Sequence, residues 1–484
     1  MDTPISEDGR ARQWLLCTAL LALVWLPRTA LVAGWILVCL YWDQGWIVAM
    51  IAPALLWQVL PALDRHGRLP GRALRPDDEP ELAALIRDVA ERLGFDKPLL
   101  VRVVPDVDAS LGRVRVEGTD TCVLLLGLPL LRALTAARLA SVVAHELAHE
   151  RHVSDRRLSL LGFARARAED RLEGRFRPTA PLLRPLLRAS QPLTWRTETA
   201  ADAEAARLAG TRATAEALRL TTLLDTVWTS LGEPWVDGLA EDDAYPEDFY
   251  DALDAALADP QVARRALRAG ADEDTLDPYA TAQHPPLEQR LAALPHHTGT
   301  PYPAEPVPLR TAAAVETWCL RALVHGEQGP DPEGSGEEPL RPVRLLELPD
   351  GELRELGESG VSAQLCRATG RATPAEAVSA ALDAIAAGTW AALARRLVPS
   401  LRHAPAAERT VAGRAVVATA VGDTLAELLL ADGRPPGGRW IRTVLLTPDR
   451  PVDLREEVAA AVDSGDPGPL RALLTSTGPK ETVV

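Results

Sequence analysis

The sequence predicts a mainly helical α+β protein with an N-terminal hairpin of membrane helices, a central domain with a small β-sheet and a C-terminal α/β domain. Residues 14–63 are almost free of charge. Two short β-branched and Leu-rich runs then precede a long Ala-rich segment, which is a strand-then-helix pattern. A stretch rich in Pro and Gly separates residues 343–484 from the rest. The predicted parts are residues 1–65, 66–300, 301–342 and 343–484.

The N-terminal hairpin is predicted from composition. Residues 14–63 carry only two charged side chains, Arg28 and Asp43, and half of the chain's 12 Trp. A helix that crosses a bilayer needs about 20 apolar residues. We expect one span over residues 21–41, with Arg28 reaching an interface, and a second over 46–63. A cleaved signal peptide is the alternative, but a second apolar span follows at once without a small-residue cleavage site.

Flanking charge predicts the orientation of this hairpin. Arg residues lie on both outer flanks, whereas the short connector has neither Lys nor Arg. The positive-inside rule then directs both ends, and the central domain, to the cytoplasm. Five scattered Cys without a disulfide pattern are consistent with a reducing compartment. The strong excess of Arg over Lys suggests a bacterial genome, so we expect the bacterial plasma membrane.

The central domain opens with two predicted strands. Residues 99–104 and 121–126 are β-branched or Leu-rich and are separated by Pro, Asp and Gly. If one of them lies at the edge of the sheet, it could hold an extended peptide through main-chain hydrogen bonds. The alternative is that both strands are interior.

A metal-binding motif lies on the helical segment that follows. The five residues are His145-Glu146-Leu147-Ala148-His149, and Thr135 is a candidate N-cap for their helix. Residues four apart share one helix face, so both imidazoles can bind a single metal ion. Glu146 can then reach a water molecule on that metal, which is the arrangement of zinc proteases. With 9 His in 484 residues, a chance match is a poor explanation.

A third ligand is predicted on a later helix. Catalytic zinc sites use three protein ligands and keep a fourth position open. Residues 195–209 contain neither Gly nor Pro and carry Glu198 and Asp202 one turn apart. We assign Glu198 as the third ligand and Asp202 as an acceptor that orients a ligating His through its other ring nitrogen. A solvated acidic face is the alternative, which the upstream motif disfavours.

Together with the segment from His284 to Arg290, whose sequence is HPPLEQR, these motifs resemble the integral-membrane zinc metallopeptidases that include HtpX and the CAAX prenyl endopeptidase. The resemblance implies a gluzincin-like zinc protease domain with one Zn²⁺ per chain. It also implies that His145, His149 and Glu198 bind zinc. Glu146 would then be the general acid/base, and Asp202 would support the site.

Two positions depart from the family pattern. Ala148 stands where many members have Gly, and Asp108 stands where many have Asn on the strand before the active helix. Ala148 is a mild change that favours the helix. Asp108 lacks the donor of an amide, so we expect it to affect substrate preference rather than the metal site.

The site chemistry predicts a hydrolytic mechanism. Zinc lowers the pKa of a bound water toward neutrality, and Glu146 would take its proton as the hydroxide attacks a peptide carbonyl and pass it to the leaving amine. His284 and Arg290 are candidate donors to the developing oxyanion. For His284 two alternatives stay open: a fourth zinc ligand that blocks the water position, or a loop residue fixed by the prolines that follow it.

The rest of the chain carries no catalytic pattern. Residues 301–342 form a predicted linker with one short helix at 311–325, and the acidic residues 241–248 form a predicted solvated loop or a lid. The tail has no assigned role. Its predicted strands are 343–348, 410–420 and 440–446, and its predicted helices are 374–387 and 454–462.

These patterns predict a membrane-anchored zinc endopeptidase that acts on membrane or misfolded proteins, as in protein quality control. The expected partners are a polypeptide substrate and the lipid bilayer, while a net charge of −15 disfavours nucleic acid. The alternative is a non-enzymatic or autoinhibited membrane protein with a blocked zinc site, acting as a chaperone-like or scaffold factor. Glu146 favours the enzyme, because a structural zinc site has no use for a carboxylate there.

Overall fold

The structure of the protein is a computed structural model. It describes residues 7–41, 69–116, 118–153, 156–173, 180–273, 281–299, 301–325, 340–356, 361–404, 406–447 and 450–475. Helices dominate these residues, and three small sheets accompany them, so the α+β prediction is confirmed at this level. The chain divides into two compact units, one made of residues 1–70, 147–201 and 279–285, and the other of 71–146, 202–278 and 286–484.

In the first unit, the N-terminal helix packs against two later helices. Helix α1 (Glu7–Tyr41) contributes Leu16, Cys17, Leu20 and Val24 to a core that it shares with helices Arg156–Glu173 and Ala180–Ala209. Four of the buried residues from those helices are Leu161, Ala164, Leu183 and Leu187. One face of α1 is therefore covered by protein.

The predicted membrane hairpin is not supported. In the described part of the chain, no helix combines the length and apolar character that a bilayer crossing requires. The first predicted span, 21–41, lies in α1, while the second, 46–63, lies outside the described residues. Part of the apolar surface of α1 packs against other helices of the first unit.

The second unit begins with a four-stranded sheet. Its strands are β1 (Arg72–Ala73), β2 (Leu99–Val104), β3 (Ala109–Val116) and β4 (Thr119–Gly127), in the order β1-β2-β4-β3. Strands β2 and β4 pair in parallel, and β3 pairs antiparallel with β4. Both predicted strands exist and both are interior, so neither is the edge. The two edges are β1, which has only two residues, and β3, which alternates polar and apolar residues; neither was predicted.

Helices follow the sheet and carry the motifs. After α2 (Pro80–Leu93) and α3 (Leu128–Ala133) comes α4 (Ala136–Val153), whose start matches the predicted cap, since the backbone N–H of Arg138 donates to Thr135 Oγ1 at 3.4 Å. Leu139, Val143 and Leu147 of α4 are fully or almost fully buried. The two helices already met in the first unit's core are α5 (Arg156–Glu173) and α6 (Ala180–Ala209), and α6 includes the predicted helical stretch 195–209.

More helices and one strand complete the central part. In chain order they are α7 (Thr211–Val227), a π-helical turn (Trp228–Gly232), α8 (Glu233–Glu241), β5 (Ala244–Pro246), α9 (Phe249–Leu257), α10 (Pro260–Glu273), α11 (Leu287–Ala293) and α12 (Ala312–His325). Helix α12 confirms the helix predicted at 311–325. Most of the predicted flexible stretch after it, residues 326–339, lies outside the described residues.

The tail is mainly helical rather than α/β. Its elements are β6 (Arg341–Val343), α13 (Asp350–Glu355), α14 (Val361–Thr369), α15 (Pro374–Ala386), α16 (Trp390–Leu397), a 3₁₀ turn (Pro399–His403), α17 (Ala406–Ala431), β7 (Val444–Leu446), β8 (Pro451–Asp453), α18 (Leu454–Ser464) and α19 (Gly468–Thr475). Helices predicted at 374–387 and 454–462 are confirmed. Its core is a helical cluster of small and branched apolar side chains.

Three strand predictions in the tail are corrected. Residues 410–420 lie inside α17, where Ala412, Val417 and Val421 face the helical core, so packing overrides the β preference of the Val and Thr residues. The strand predicted at 343–348 is β6, which ends at Val343 before a turn. Of the strand predicted at 440–446, only β7 is extended.

The start of the tail is joined to the central part of the second unit. Strand β6 pairs in parallel with β5. Asp248, which is buried, accepts hydrogen bonds from the backbone N–H groups of Leu345 at 2.6 Å and Leu346 at 3.1 Å. A Cβ on Gly238 would lie 2.7 Å from the carbonyl oxygen of Leu356, so α8 approaches the tail backbone closely. The acidic run 241–248 is therefore not a solvated loop throughout.

Candidate metal centre

Three predicted ligands come together. His145 and His149 lie one turn apart on α4, and Glu198 lies on α6. Each offers one ligand atom, and these three atoms all lie within 4.8 Å of one another. His145 and Glu198 are buried, and His149 is half-buried. Two imidazoles and one carboxylate are the donor set of a catalytic zinc site, so the cluster fits a zinc ion.

Asp202 faces the first of these ligands. Its Oδ1 lies 2.9 Å from Nδ1 of His145, and its side chain is only 2% exposed. A carboxylate at Nδ1 fixes the proton on that nitrogen and leaves Nε2 with its lone pair for a metal. The one-turn spacing of Glu198 and Asp202 on α6 therefore brings a ligand and the partner of another ligand to the same face.

Arg290 holds the other side of Asp202. Its Nε donates to Oδ2 at 2.8 Å and its Nη2 donates to Oδ1 at 2.7 Å. Burial acts to raise the pKa of the Asp202 carboxyl, but the hydrogen bonds from Arg290 and from His145 outweigh it and bring the pKa down to about 2. Asp202 is thus a carboxylate at any pH near neutrality, as an acceptor from imidazole must be.

Glu198 has two histidine neighbours. Its Oε1 lies 3.2 Å from Nε2 of His149, and its Oε2 lies 2.5 Å from Nδ1 of His284. The His284 side chain is 58% exposed. One carboxylate oxygen therefore faces the metal ligands, while the other is held by an imidazole that solvent reaches.

Glu146 follows His145 on α4 and is half-buried. Its neighbours in the sequence, His145 and Leu147, are buried. Partial exposure leaves the Glu146 carboxylate accessible to water, which a proton acceptor for a water molecule requires.

The segment that carries His284 is fixed by two residues that sequence reasoning missed. Nη2 of Arg165 donates to the carbonyl oxygen of Thr281 at 3.3 Å, and Nε1 of Trp195 donates to that of Ala282 at 3.3 Å. Arg165 is 3% exposed at its side chain. Buried arginines are uncommon in helices, but burial is not visible from the charge pattern of α5.

Asp108, one of the two positions that depart from the family pattern, lies just before the edge strand β3. Its Oδ2 accepts a hydrogen bond from the Ser110 hydroxyl at 2.8 Å, and its carbonyl oxygen accepts from the backbone N–H of Gly127 at 2.6 Å. A Cβ at position 127 would lie 2.1 Å from the Asp106 carbonyl oxygen, so only glycine fits there. The Asp108 side chain is thereby tied locally to the start of β3.

Comparison with known proteins agrees with this geometry. No solved structure shows a significant match to the chain. Residues 76–298, which include every ligand and partner described above, match the model of Peptidase family M48, and that match supports a metallopeptidase.

Proposed function

We propose that the protein is a zinc-dependent endopeptidase that hydrolyses peptide bonds of polypeptide substrates. One observation carries the proposal: the ligand atoms of His145, His149 and Glu198 all lie within 4.8 Å of one another. Glu146 follows the first of these residues on α4. A purely structural zinc site normally closes its fourth position with Cys or His from the protein. Within the described residues, the cluster that could hold a metal contains three such side chains.

Zinc bound to these three residues would supply a water of lowered pKa and polarise the scissile carbonyl. Glu146 would take the proton of the attacking water and give it to the leaving amine. Asp202 would keep the proton of His145 on Nδ1, so that Nε2 is always the donor atom to the metal. Arg290 would act through Asp202, because Nε and Nη2 of its guanidinium donate to the two carboxylate oxygens.

The two residues predicted as oxyanion donors, Arg290 and His284, have different roles in this proposal. Arg290 is assigned here as a positioning residue. His284 contacts Glu198 through Nδ1, which leaves Nε2 on an exposed ring for a hydrogen bond to substrate. We assign His284 two linked roles, orienting Glu198 and donating to the oxyanion.

The substrate is proposed to bind in an extended conformation. Strand β3 is at the edge of the four-stranded sheet and pairs on one side with β4. An edge strand can add a peptide by main-chain hydrogen bonds, which gives affinity with little sequence preference. Asp108 at the start of β3 would then favour cationic or hydrogen-bond-donating side chains.

Membrane attachment and a cytoplasmic site remain predictions about the N-terminal region, as does a preference for membrane or misfolded proteins. The second proposed span, 46–63, lies outside the described residues. Extraction of bacterial membranes with carbonate tests the attachment: the intact chain should stay in the pellet, and a chain lacking residues 1–63 should be released. Full solubility of the intact chain would refute it.

The decisive experiment compares the intact wild-type chain with Glu146→Gln and with the control Glu241→Gln, whose side chain is exposed at the end of α8. We expect casein cleavage to fall by at least about a thousandfold in Glu146→Gln, because the proton acceptor is lost. Zinc content should stay near one per chain in all three. Undiminished cleavage in Glu146→Gln would refute the mechanism.

A second candidate function rests on the contact between His284 and Glu198. If the imidazole blocks the metal site, the protein is autoinhibited and serves as a chaperone-like or scaffold factor. The wild type would then bind zinc without cleaving casein, and His284→Ala would gain activity.

A further inference from the structure

A cavity of about 330 Å³ lies in the second unit, remote in sequence from the metal ligands. Its lining comes from the central part of the unit, including α8 and α10, and from the tail, including α14 and α17. Small-molecule sites typically have volumes of about 300–1,000 Å³, combine apolar walls with a few polar groups, and occur where two parts of a protein meet. The cavity satisfies these criteria.

One wall of the cavity is aromatic and aliphatic. The rings of Trp235 and Trp440 have centroids 5.6 Å apart at an angle of 47°. Val262 and Leu353, which are buried, also line the cavity. Such a wall suits a flat or branched apolar group.

The polar lining has more cations than anions. Four arginines, Arg265, Arg354, Arg442 and Arg455, line the cavity together with two carboxylates, Asp423 and Glu427. Formal charges of +4 and −2 leave +2 on the lining. Asp453, which lies 3.9 Å from Arg265, reduces the local excess to +1.

The two lining carboxylates are already engaged. Both oxygens of Asp423 accept from Arg455, at 2.5 and 2.6 Å. Glu427 accepts from the Ser362 hydroxyl and lies 3.9 Å from Arg442. Arg455 therefore has a close carboxylate partner, Arg265 and Arg442 each have a carboxylate at 3.9 Å, and Arg354 forms no ion pair with the described residues.

The hydrogen bonds of Arg265 and Arg354 go to neutral groups, while the Asp453 carboxylate lies 3.9 Å from Arg265. Nη1 of Arg265 donates to the Thr443 hydroxyl, and Nη1 of Arg354 donates to the Gly438 carbonyl oxygen at 3.3 Å. Burial lowers the pKa of Arg265 to about 10, with Arg455 adding to the effect, so Arg265 is still a cation at neutral pH. A partly buried cation next to a cavity is stabilised by an anion that can enter it.

We propose that this cavity binds a small organic anion, with a carboxylate or phosphate group paired to Arg265 and Arg354 and an apolar body against Trp235 and Trp440. Arginine favours both oxyanions because its planar guanidinium donates two parallel hydrogen bonds. Because the lining comes from both the central part and the tail, the ligand holds these two regions of the second unit together.

Isothermal titration calorimetry on the intact chain tests the proposal with three probes. Indole-3-acetate carries a carboxylate, phenyl phosphate carries a phosphate, and indole-3-acetamide is the neutral match of the first. We expect one site per chain for at least one anion, and binding of the amide at least about tenfold weaker than that of the acetate if the carboxylate is recognised. Comparing the two anions identifies the preferred head group.

Variants locate the site. Arg265→Gln and Arg354→Gln should each weaken binding of the preferred anion by about tenfold or more, while the control Arg371→Gln, an exposed position outside the cavity, should leave it unchanged. Circular dichroism checks that each variant is folded; if Arg265→Gln unfolds, Arg354→Gln alone decides. The proposal is overturned if neither anion binds saturably at millimolar concentration, or if binding is the same in the wild type and in the folded cavity variant.

Discussion

Arg290 binds both carboxylate oxygens of Asp202, at 2.8 and 2.7 Å, and Asp202 in turn lies 2.9 Å from the imidazole of His145. A residue of α11 thus reaches the candidate metal ligand on α4 through one buried carboxylate. Without Arg290, Asp202 would be a buried carboxylate with one partner fewer, and its ionised form would be less stable.

Arg290→Lys should reduce zinc affinity about tenfold or more, because a lysine ammonium cannot replace the two parallel hydrogen bonds to Asp202. Competition with a chromogenic chelator measures the affinity. Arg212→Lys is the matched control, since Arg212 is an exposed residue that pairs with Glu216 at 2.8 Å on the surface of α7. An affinity equal to that of the wild type in Arg290→Lys would show that Asp202 needs no such support.

His284→Ala should lower both zinc affinity, by up to about tenfold, and casein cleavage, because it removes the partner of Glu198 Oε2 and a donor to substrate. His284→Gln, which can still donate a hydrogen bond, should recover part of the zinc affinity. Metal titration and steady-state cleavage of both variants make the comparison. Higher activity than the wild type in His284→Ala would instead identify an inhibitory imidazole.

Removing the metal should abolish cleavage and lower the melting temperature. A ligand that binds only the folded state stabilises it by about 4 kcal/mol when its concentration is a thousand times its dissociation constant. Differential scanning calorimetry after dialysis against a chelator, and again after adding zinc, measures the shift. His149→Ala should show little zinc-dependent shift; a full shift in that variant would place the metal elsewhere.

Asp248→Ala should destabilise the second unit by about 1–3 kcal/mol, since the backbone N–H groups of Leu345 and Leu346 would lose their acceptor. Urea denaturation followed by circular dichroism measures the free energy of unfolding. Glu241→Ala, exposed at the end of α8, should change it by less than about 0.5 kcal/mol. Equal stability of the two variants would contradict a structural role for Asp248.

The candidate ligands and the partner Asp202 were predictable from sequence because each pair is encoded locally. His145 and His149, and likewise Glu198 and Asp202, are one helical turn apart, so helix geometry alone puts each pair on one face. The meeting of Arg290 with Asp202 was not predictable, because 88 residues separate them and their contact depends on tertiary packing.

The errors also have physical causes. Residues 410–420 contain Val and Thr, which favour strands, yet they pack as a helix inside an Ala-rich cluster. Strand β3 was not predicted because its outer face is polar, as is common for an edge strand.

Gly238 lies close to Leu356, and β5 pairs with β6. Where α8 and β5 lie, the peptidase-like part is therefore covered by the tail. A chain cut after His325 would remove Trp440, which packs against Trp235, and would leave the Asp248 carboxylate without its amide partners. Trimming the protein to the residues that match the family would therefore yield an aggregation-prone fragment rather than a minimal enzyme. Expression of the intact chain is therefore the sound starting point for biochemical work on the peptidase-like part.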